Sequence, residues 1–163
     1  MLFRSPQTNE DESLTISLLV IDVDNTELIF SAESDNENVT ASISGDELTL
    51  IPSLDWNGVA SISVTVSDGD LEDSEVFALT VTPINDPPTI ELPDSLTFTE
   101  DDSLIVDFSG YVSDIDEDGL SLSVSDMDSV EVTINEFVVS FHTPLNWYGT
   151  DTLIFTINDN QGR

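Results

Sequence analysis

Hydrophobic and polar residues alternate along most of this chain. The alternation is clearest at residues 59–67, where Ile62, Val64 and Val66 occupy every second position. A period of two is typical of a β-strand, because successive side chains point to opposite faces of a sheet. The strands predicted in the first half are residues 14–21, 27–32, 38–44, 47–52, 59–67 and 74–82. Helical periodicity is hard to find, so the pattern predicts an all-β fold.

The two halves of the chain repeat the same motifs in the same order. The matched segments are 9–14 with 99–104, 22–24 with 114–116, 54–58 with 145–149, and 66–68 with 157–159. Each pair is separated by about ninety positions, and a fixed period of this kind indicates a structural repeat. We therefore predict two domains, residues 1–83 and 84–163, each near the lower end of the size at which a domain folds alone.

The segment between the repeats, residues 82–88, reads Thr-Pro-Ile-Asn-Asp-Pro-Pro. Its prolines lack a backbone N–H and disfavour helix in the residue before them, so the segment is expected to be stiff and extended. A linker of this composition acts as a spacer between two domains rather than as a flexible tether.

The second repeat stops short of the last strand of the first. Residues 160–163 follow Asp159, whereas the first repeat continues through the strand predicted at 74–82. The sequence therefore predicts that the second sandwich lacks its last strand and has an open edge beside residues 150–158. Because open strand edges pair with other chains, we expect a dimer or a strand swap at this edge.

Acidic residues dominate the charge of the chain. It has 34 acids against Arg4 and Arg163, which gives a formal net charge of -32. Nucleic acids and anionic membrane surfaces are excluded as partners, because both are bound through lysine and arginine. No apolar run is long enough to cross a bilayer, so no membrane insertion is predicted and an export signal is expected outside this chain. Cysteine is absent, which excludes disulfides and thiolate chemistry.

Many of the acids are clustered where strands are predicted to end. The clusters are residues 10–12, 22–24, 68–70, 100–102 and 114–118. Calcium takes six to eight oxygen ligands from carboxylates, carbonyls and water, so such turns suit this ion. The alternative interpretation is a solvated acidic surface adapted to salt. Residues 114–119 also match the opening of an EF-hand loop, but the twelfth position is Ser125 and no helices flank it, so an EF-hand is rejected.

These motifs, taken in order, resemble cadherin repeats. The resemblance rests on the acidic entry 99–101, the Asp-x-Asp pairs, Leu54-Asp55 before a core strand, Asp68-Gly69 after it, and the linker motif 85–88. The Asp-Trp-Asn-Gly motif followed by Val-x-Val-x-Asp is similar to bacterial tandem cadherin-like repeats of large surface proteins. The resemblance implies two tandem Greek-key antiparallel β-sandwiches with calcium between successive repeats.

The resemblance also implies a set of calcium ligands at the junction of the repeats. The implied ligands are Glu10, Asp55, Asn85, Asp86, Asp114, Asp116 and Asp159. Weaker half-sites are expected at the outer ends, from Asp22, Asp24, Asp68 and Glu100. Asn57 and Pro83 stand where cadherins carry acids, so we expect one or two ions at the junction.

The sequence thus predicts a calcium-rigidified spacer or adhesion module of a secreted or cell-surface bacterial protein. Its partners would be calcium, neighbouring repeats, and homotypic or glycan contacts. One alternative is a carbohydrate-binding accessory module of an extracellular enzyme, in which Trp56 and Trp147 would stack on sugars rather than pack on the sandwich. The other is an inert, salt-adapted spacer. No acid pair lies in an apolar pocket signature and His142 lies in a strand pattern, so no enzyme activity is expected.

Overall fold

A computed structural model describes residues 5–21, 23, 27–125 and 128–161 of the chain. The chain divides into two compact units, Met1–Ile84 and Asn85–Arg163, here called unit 1 and unit 2. Every regular element in the described residues is a β-strand, apart from one 3-10 turn at Ser109–Tyr111. The predicted all-β fold is confirmed.

Unit 1 is a sandwich of two sheets. Its strands are β1 Gln7–Asn9, β2 Leu14–Ser17, β3 Ile29–Ser34, β4 Val39–Ser44, β5 Glu47–Pro52, β6 Gly58–Ser67 and β7 Glu72–Thr82. One sheet has the order β1-β7-β6-β3 and the other has the order β2-β5-β4. All pairs are antiparallel except β1 with β7, which is parallel. The chain therefore crosses repeatedly between the sheets and encloses one core.

Alternating residues of the central strands fill the core of unit 1. Leu48 and Leu50 of β5 and Ile62 of β6 are fully buried, as is Leu79 of β7. Burying such a side chain contributes about 1.5–3 kcal/mol to folding. The period of two seen in the sequence is therefore the period at which side chains enter this core.

The first strand predicted from the sequence, residues 14–21, ends early. The strand stops at Ser17, and the backbone N–H of the buried Leu18 donates a hydrogen bond to the carbonyl of Asp46, at 2.7 Å. Beyond that point Leu19 and Ile21 are exposed. The apolar residues that extended the predicted strand therefore lie on the surface and not in the sheet.

Unit 2 repeats most of this arrangement. Its strands are β8 Thr89–Ile90, β9 Ser103–Asp107, β10 Val112–Ser113, β11 Ser121–Ser125, β12 Glu131–Asn135, β13 Val138–His142 and β14 Ile154–Asn158. The sheets have the orders β12-β13-β9, β11-β14 and β10-β8. The pairing of β9, β13 and β12 matches that of β2, β5 and β4, and β11 with β14 matches β3 with β6. As predicted, no strand in the described part of unit 2 corresponds to β7.

An aromatic cluster fills the core of unit 2. Phe108 is buried, and its ring lies edge-on to that of Phe155 with centroids 5.3 Å apart. Phe141 lies 6.4 Å from Phe108 and 6.2 Å from Phe155. Edge-to-face pairs of this kind contribute about 0.5–1.5 kcal/mol each beyond their burial. His142, the next residue after Phe141, is exposed on β13, as its strand pattern predicted.

Both tryptophans pack over a glycine two residues further along. A Cβ on Gly58 would lie 2.9 Å from Cζ2 of Trp56, and one on Gly149 would lie 3.1 Å from Cζ2 of Trp147. Each ring also packs against the core of its own unit. The packing interpretation of the repeated Trp-x-Gly motif is confirmed, and the glycines are needed because a side chain would displace the ring.

Candidate metal site

An acidic loop follows β10 in unit 2. Oδ1 of Asp114 accepts hydrogen bonds from the backbone N–H of Asp116, at 3.0 Å, and of Asp118, at 3.2 Å. These bonds curl the loop and place Glu117 in the left-handed region, with φ of 60°. As a result, one carboxylate oxygen each of Asp114, Asp116 and Asp118 lies within 4.8 Å of the other two. Three half-buried carboxylates thus converge on one point.

One oxygen of this loop has no partner. Oδ2 of Asp114 is buried and makes no hydrogen bond to any described group. A buried carboxylate oxygen without a hydrogen bond or a cation is costly, because it has lost its water. A cation between the three carboxylates would satisfy this oxygen and would neutralise their mutual repulsion. The residues present therefore fit a hard, oxygen-liganded ion such as calcium.

The start of unit 2 is hydrogen-bonded to this end of the sandwich. The backbone N–H of Asp86 donates to Oδ2 of Asp116, at 2.7 Å. The side-chain amide of Asn85 donates to Oδ2 of Asp159, which follows β14, also at 2.7 Å. Of the five predicted ligands of unit 2, Asp114 and Asp116 therefore bring carboxylate oxygens together, Asp86 contacts Asp116 through its backbone, and Asn85 and Asp159 form a separate pair.

Asp118 was not among the predicted ligands. The side-chain amide of Gln161 donates to its Oδ1, at 2.8 Å, so the acidic loop is linked to the segment after β14. The Asp-x-Asp-x-Asp spacing of residues 114–118 is the signal that would have included it. The same spacing resembles an EF-hand loop, and rejecting that loop leaves Asp118 without a predicted role.

In unit 1 the predicted ligand Glu10 is the only buried charged residue of the described chain, with 3% of its surface exposed. Oε1 of Glu10 accepts a hydrogen bond from the backbone N–H of Ile84, and Oε2 accepts one from the side-chain amide of Asn57, at 3.5 Å. Its own backbone N–H donates to the carbonyl of Thr82, at 3.0 Å. Glu10 therefore fixes the end of β7 and the start of the linker to the sandwich.

Asp55, the second predicted ligand of unit 1, lies beside Asp11. The backbone N–H of Asp55 donates to Oδ1 of Asp11, at 2.9 Å, and a carboxylate oxygen of each lies within 4.8 Å of the other. Both residues are left-handed, with φ of 54° and 61°. Unit 2 repeats this geometry, since the N–H of Asn146 donates to Oδ1 of Asp101, at 2.6 Å. Sequence reasoning missed Asp11, although the repeated Glu-Asp pair carried the signal.

Among the outer predicted residues, the two that the structure describes, Asp68 and Glu100, belong to no comparable cluster. Oδ1 of Asp68 accepts hydrogen bonds from the backbone N–H of Asp70 and Leu71, at 2.9 and 2.8 Å, so it caps the turn between β6 and β7. Glu100 is exposed. Asp22 and Asp24 lie outside the described residues.

Two acids with lowered pKa values lie away from the acidic loop. The backbone N–H of Val130 and then that of Ser129 lower the pKa of Asp151 below its usual value. The backbone N–H of Ser109, followed by its hydroxyl, lowers the pKa of Asp107 in the same way. Hydrogen bonds to a carboxylate favour its charged form. These two acids stabilise loops of unit 2 and are not candidate ligands.

The described part of the chain has no helix long and apolar enough to cross a membrane.

Comparison with protein families identifies the repeat. The family described as bacterial Ig domain matches residues 4–81 and matches again at residues 85–163. The chain belongs to the bacterial Ig domain family. It carries two such domains in tandem, which bears out the bacterial tandem repeat deduced from the sequence. The match supports a bacterial Ig-like repeat and does not specifically support a cadherin-like one.

Solved structures give more distant matches. Endo-fucoidan hydrolase MfFcnA4 from glycoside hydrolase family 107 is 17% identical, with a TM-score of 0.43, over 95% of this chain and 25% of the hydrolase chain. The titin domains z1z2 in complex with telethonin are 12% identical, with a TM-score of 0.40, over 94% of this chain and 89% of the titin chain. The chain thus spans about a quarter of the hydrolase. No curated protein sequence matches it.

Proposed function

We propose that these two bacterial Ig domains form a calcium-rigidified spacer or adhesion module of a secreted or cell-surface protein. The observation that carries the proposal is the buried, unpartnered Oδ2 of Asp114 among three converging carboxylates. A scattered acidic surface would leave its carboxylate oxygens in water. A buried oxygen without a hydrogen bond, on a residue whose carboxylate lies close to two others, is better explained by a bound cation.

The donor set favours calcium among the common metal ions. The acidic loop offers Asp114, Asp116 and Asp118, and Asn85 and Asp159 lie at the same end of unit 2. Every side-chain donor is an oxygen or an amide, without histidine or cysteine, so zinc and copper are disfavoured. Magnesium demands a smaller and more regular octahedron, whereas calcium accepts a flexible set of six to eight oxygens.

Glu10 and Asp55 are the calcium ligands that unit 1 is proposed to contribute beside the linker. Glu10 anchors the N–H of Ile84, and the next residues along the chain, Asn85 and Asp86, are anchored to unit 2. Without a cation, the like charges at the two ends of so short a connection repel one another. A divalent ion there would stiffen the linker between neighbouring repeats.

A non-catalytic role agrees with the chemistry of the described residues. The two carboxylates with lowered pKa values, Asp107 and Asp151, cap loops, and a lowered pKa is the opposite of what a general acid needs. The carbohydrate-binding alternative requires exposed, coplanar aromatic rings. Trp56 and Trp147 are half-buried and packed over glycine, which disfavours that role.

Isothermal titration calorimetry with calcium chloride tests the proposal. We expect binding to the wild-type chain and at least a tenfold weaker affinity for Asp116→Asn, with Glu131→Gln as a control that removes the same charge from an exposed strand position. We also expect EGTA to raise the radius of gyration measured by small-angle X-ray scattering. If calcium gives no heat and EGTA changes neither the scattering nor the melting temperature, the inert, salt-adapted spacer is the correct alternative.

A further inference from the structure

The chain contains one asparagine that is followed directly by glycine, Asn57. Every other asparagine precedes a residue that carries a side chain. The backbone nitrogen of the next residue can attack the side-chain carboxamide of an asparagine and form a five-membered succinimide ring. Glycine leaves that nitrogen unhindered, because it has no Cβ. The pair Asn57-Gly58 is therefore the position in this sequence at which the ring forms most readily.

The structure leaves the side chain of Asn57 open to water. Asn57 is exposed and directly precedes β6, which begins at Gly58. The glycine is not easily replaced, because residues with a side chain rarely adopt its φ of 149° and its Cβ would lie 2.9 Å from Cζ2 of Trp56. The fold therefore requires the residue that makes the asparagine reactive. In unit 2 Tyr148 precedes Gly149 at the matching position, so no carboxamide stands there.

The carboxamide of Asn57 is a hydrogen-bond donor to a buried charge. Its Nδ2 donates to Oε2 of Glu10, at 3.5 Å, and Oε1 of Glu10 accepts the backbone N–H of Ile84. Only 3% of the surface of Glu10 is exposed. A carboxylate at position 57 would replace the donor by a second negative charge, facing a group that is shielded from water. Such a change is destabilising, because a buried carboxylate depends on its hydrogen-bond donors.

We propose that Asn57 is a deamidation site whose conversion loosens the attachment of the linker to unit 1. The backbone nitrogen of Gly58 loses its proton to a base in the solvent and bonds to Cγ of Asn57. The bond from Cγ to Nδ2 breaks, and Nδ2 leaves as ammonia after taking a proton from water. Water then opens the succinimide at either carbonyl carbon, which leaves an aspartate or an isoaspartate at position 57. The net reaction consumes one water and releases one ammonia, and no oxidant or reductant takes part.

Both products remove the donor to Glu10, and isoaspartate also lengthens the main chain. Its extra backbone carbon lies directly before Gly58, which pairs with Val81 of β7. The next residue, Thr82, accepts the backbone N–H of Glu10 on its carbonyl, at 3.0 Å. The modification therefore acts where residues 82–84 are fastened to unit 1. It acts in one direction only, because the ammonia is lost to the solvent.

Peptide mapping of the aged protein tests the chemistry. The full chain is kept folded at mildly alkaline pH with EGTA, in water labelled with heavy oxygen, and is then digested after glutamate. The fragment of residues 48–72 contains Asn57 as its sole asparagine. We expect labelled oxygen to enter position 57 at least tenfold faster than any other asparagine position, with isoaspartate as the major product in electron-transfer fragmentation.

Asn57→Gln is the matched control for this chemistry. It keeps a carboxamide but places it one methylene further from the Gly58 nitrogen, so ring closure is much slower. We expect the labelling at position 57 to fall at least tenfold in this variant.

Amide hydrogen exchange measured by NMR tests the consequence. We expect Asn57→Asp to speed the exchange of the Ile84 N–H at least tenfold and to lower the urea midpoint of unit 1. Asn135→Asp adds the same charge at an exposed position of β12 and should do neither. Combining Asn57→Asp with Glu10→Gln should restore much of the protection, because a glutamine amide at position 10 can donate to the new carboxylate.

Either of two results overturns the proposal. One is labelling at position 57 that is no faster than at the other asparagines, which would show that the fold holds the carboxamide away from the Gly58 nitrogen. The other is exchange of the Ile84 N–H that is equal in Asn57→Asp and Asn135→Asp, which would make the modification silent. Because EGTA is present throughout, neither result depends on whether the acidic loop binds calcium.

Discussion

Replacing Asp114 by asparagine should change the stability of unit 2 in opposite directions with and without calcium. The substitution keeps the Oδ1 acceptor that binds the N–H groups of Asp116 and Asp118 and removes one negative charge. Two unit charges 4.8 Å apart repel by about 0.9 kcal/mol in water-like surroundings. Asp114 takes part in two such pairs, and salt screens part of the repulsion, so removing it should stabilise the calcium-free form by about 1–2 kcal/mol.

Calcium should reverse the order of stability. Extracellular modules bind calcium with dissociation constants of about 10⁻⁴–10⁻³ M. At a concentration about one hundred times the dissociation constant, the ion stabilises the wild-type chain by about 2.7 kcal/mol. Asp114→Asn loses the ligand that is buried and unpartnered, so it should gain little from calcium. The variant should be the more stable protein in EGTA and the less stable one in saturating calcium.

Differential scanning calorimetry of the full chain measures this inversion. About 1 kcal/mol corresponds to about 4–8 °C for a domain of this size. Glu131→Gln is the matched control, since it removes one charge from an exposed position on β12. The interpretation of the acidic loop as a cation site fails if calcium raises the melting temperatures of wild type and Asp114→Asn equally, or if the two proteins are indistinguishable in both buffers.

Three further substitutions test other parts of the structure. Glu10→Gln should lower the free energy of unfolding of unit 1 by about 1–3 kcal/mol in urea, because a buried acceptor becomes an amide donor facing another amide, whereas the exposed Glu100→Gln should change it by less than about 0.5 kcal/mol. Asp151→Asn should make the melting temperature depend less on pH in acid. Because the pKa of Asp151 is lowered in the folded state, its carboxylate stabilises the fold above pH 3.8, and this contribution is lost as the pH falls through the lowered pKa. Gly58→Ala should destabilise unit 1 by about 1–3 kcal/mol in thermal melts, since its Cβ would lie 2.9 Å from a tryptophan ring, while Gly119→Ala, with open space around it, should be nearly neutral. The geometry described for Glu10 or Gly58 would be contradicted if its variant behaved like the paired control, and that for Asp151 if Asp151→Asn kept the wild-type dependence of melting temperature on pH.

Much of the fold could be predicted because it depends on local patterns. The alternation in β6 and β7 follows directly from the two faces of a strand, and the repeat of about ninety residues divides the chain into two sandwiches. Strand ends were less predictable. Residues 18–21 continue an apolar pattern, but the partner strand β5 begins only at Glu47, so the hydrogen bond from Leu18 to Asp46 lies at the end of the β2–β5 pairing. Where that pairing ends depends on residues far apart in sequence.

The candidate site also has residues that local patterns predict and residues that depend on distant contacts. Asp114 and Asp116 could be found from spacing, because an Asp-x-Asp pair in a turn converges through its own backbone hydrogen bonds. The repeated Glu-Asp pair marks Asp11 in the sequence, but its contact could not be predicted, because its bond to the N–H of Asp55 spans 44 positions and depends on two left-handed residues. The burial of Glu10 likewise depends on the position at which β7 ends, and no local motif predicts that position.

The two glutamates of the repeated acidic motif show why a motif alone does not define a ligand. Glu10 is buried because residues 82–84 pass over it after the last strand of unit 1, and its carboxylate is satisfied there by the N–H of Ile84. Glu100 is likewise followed by an aspartate, Asp101, yet it is exposed. The element that differs is a strand at the β7 position, which in unit 1 both closes the core and delivers the segment that covers the glutamate.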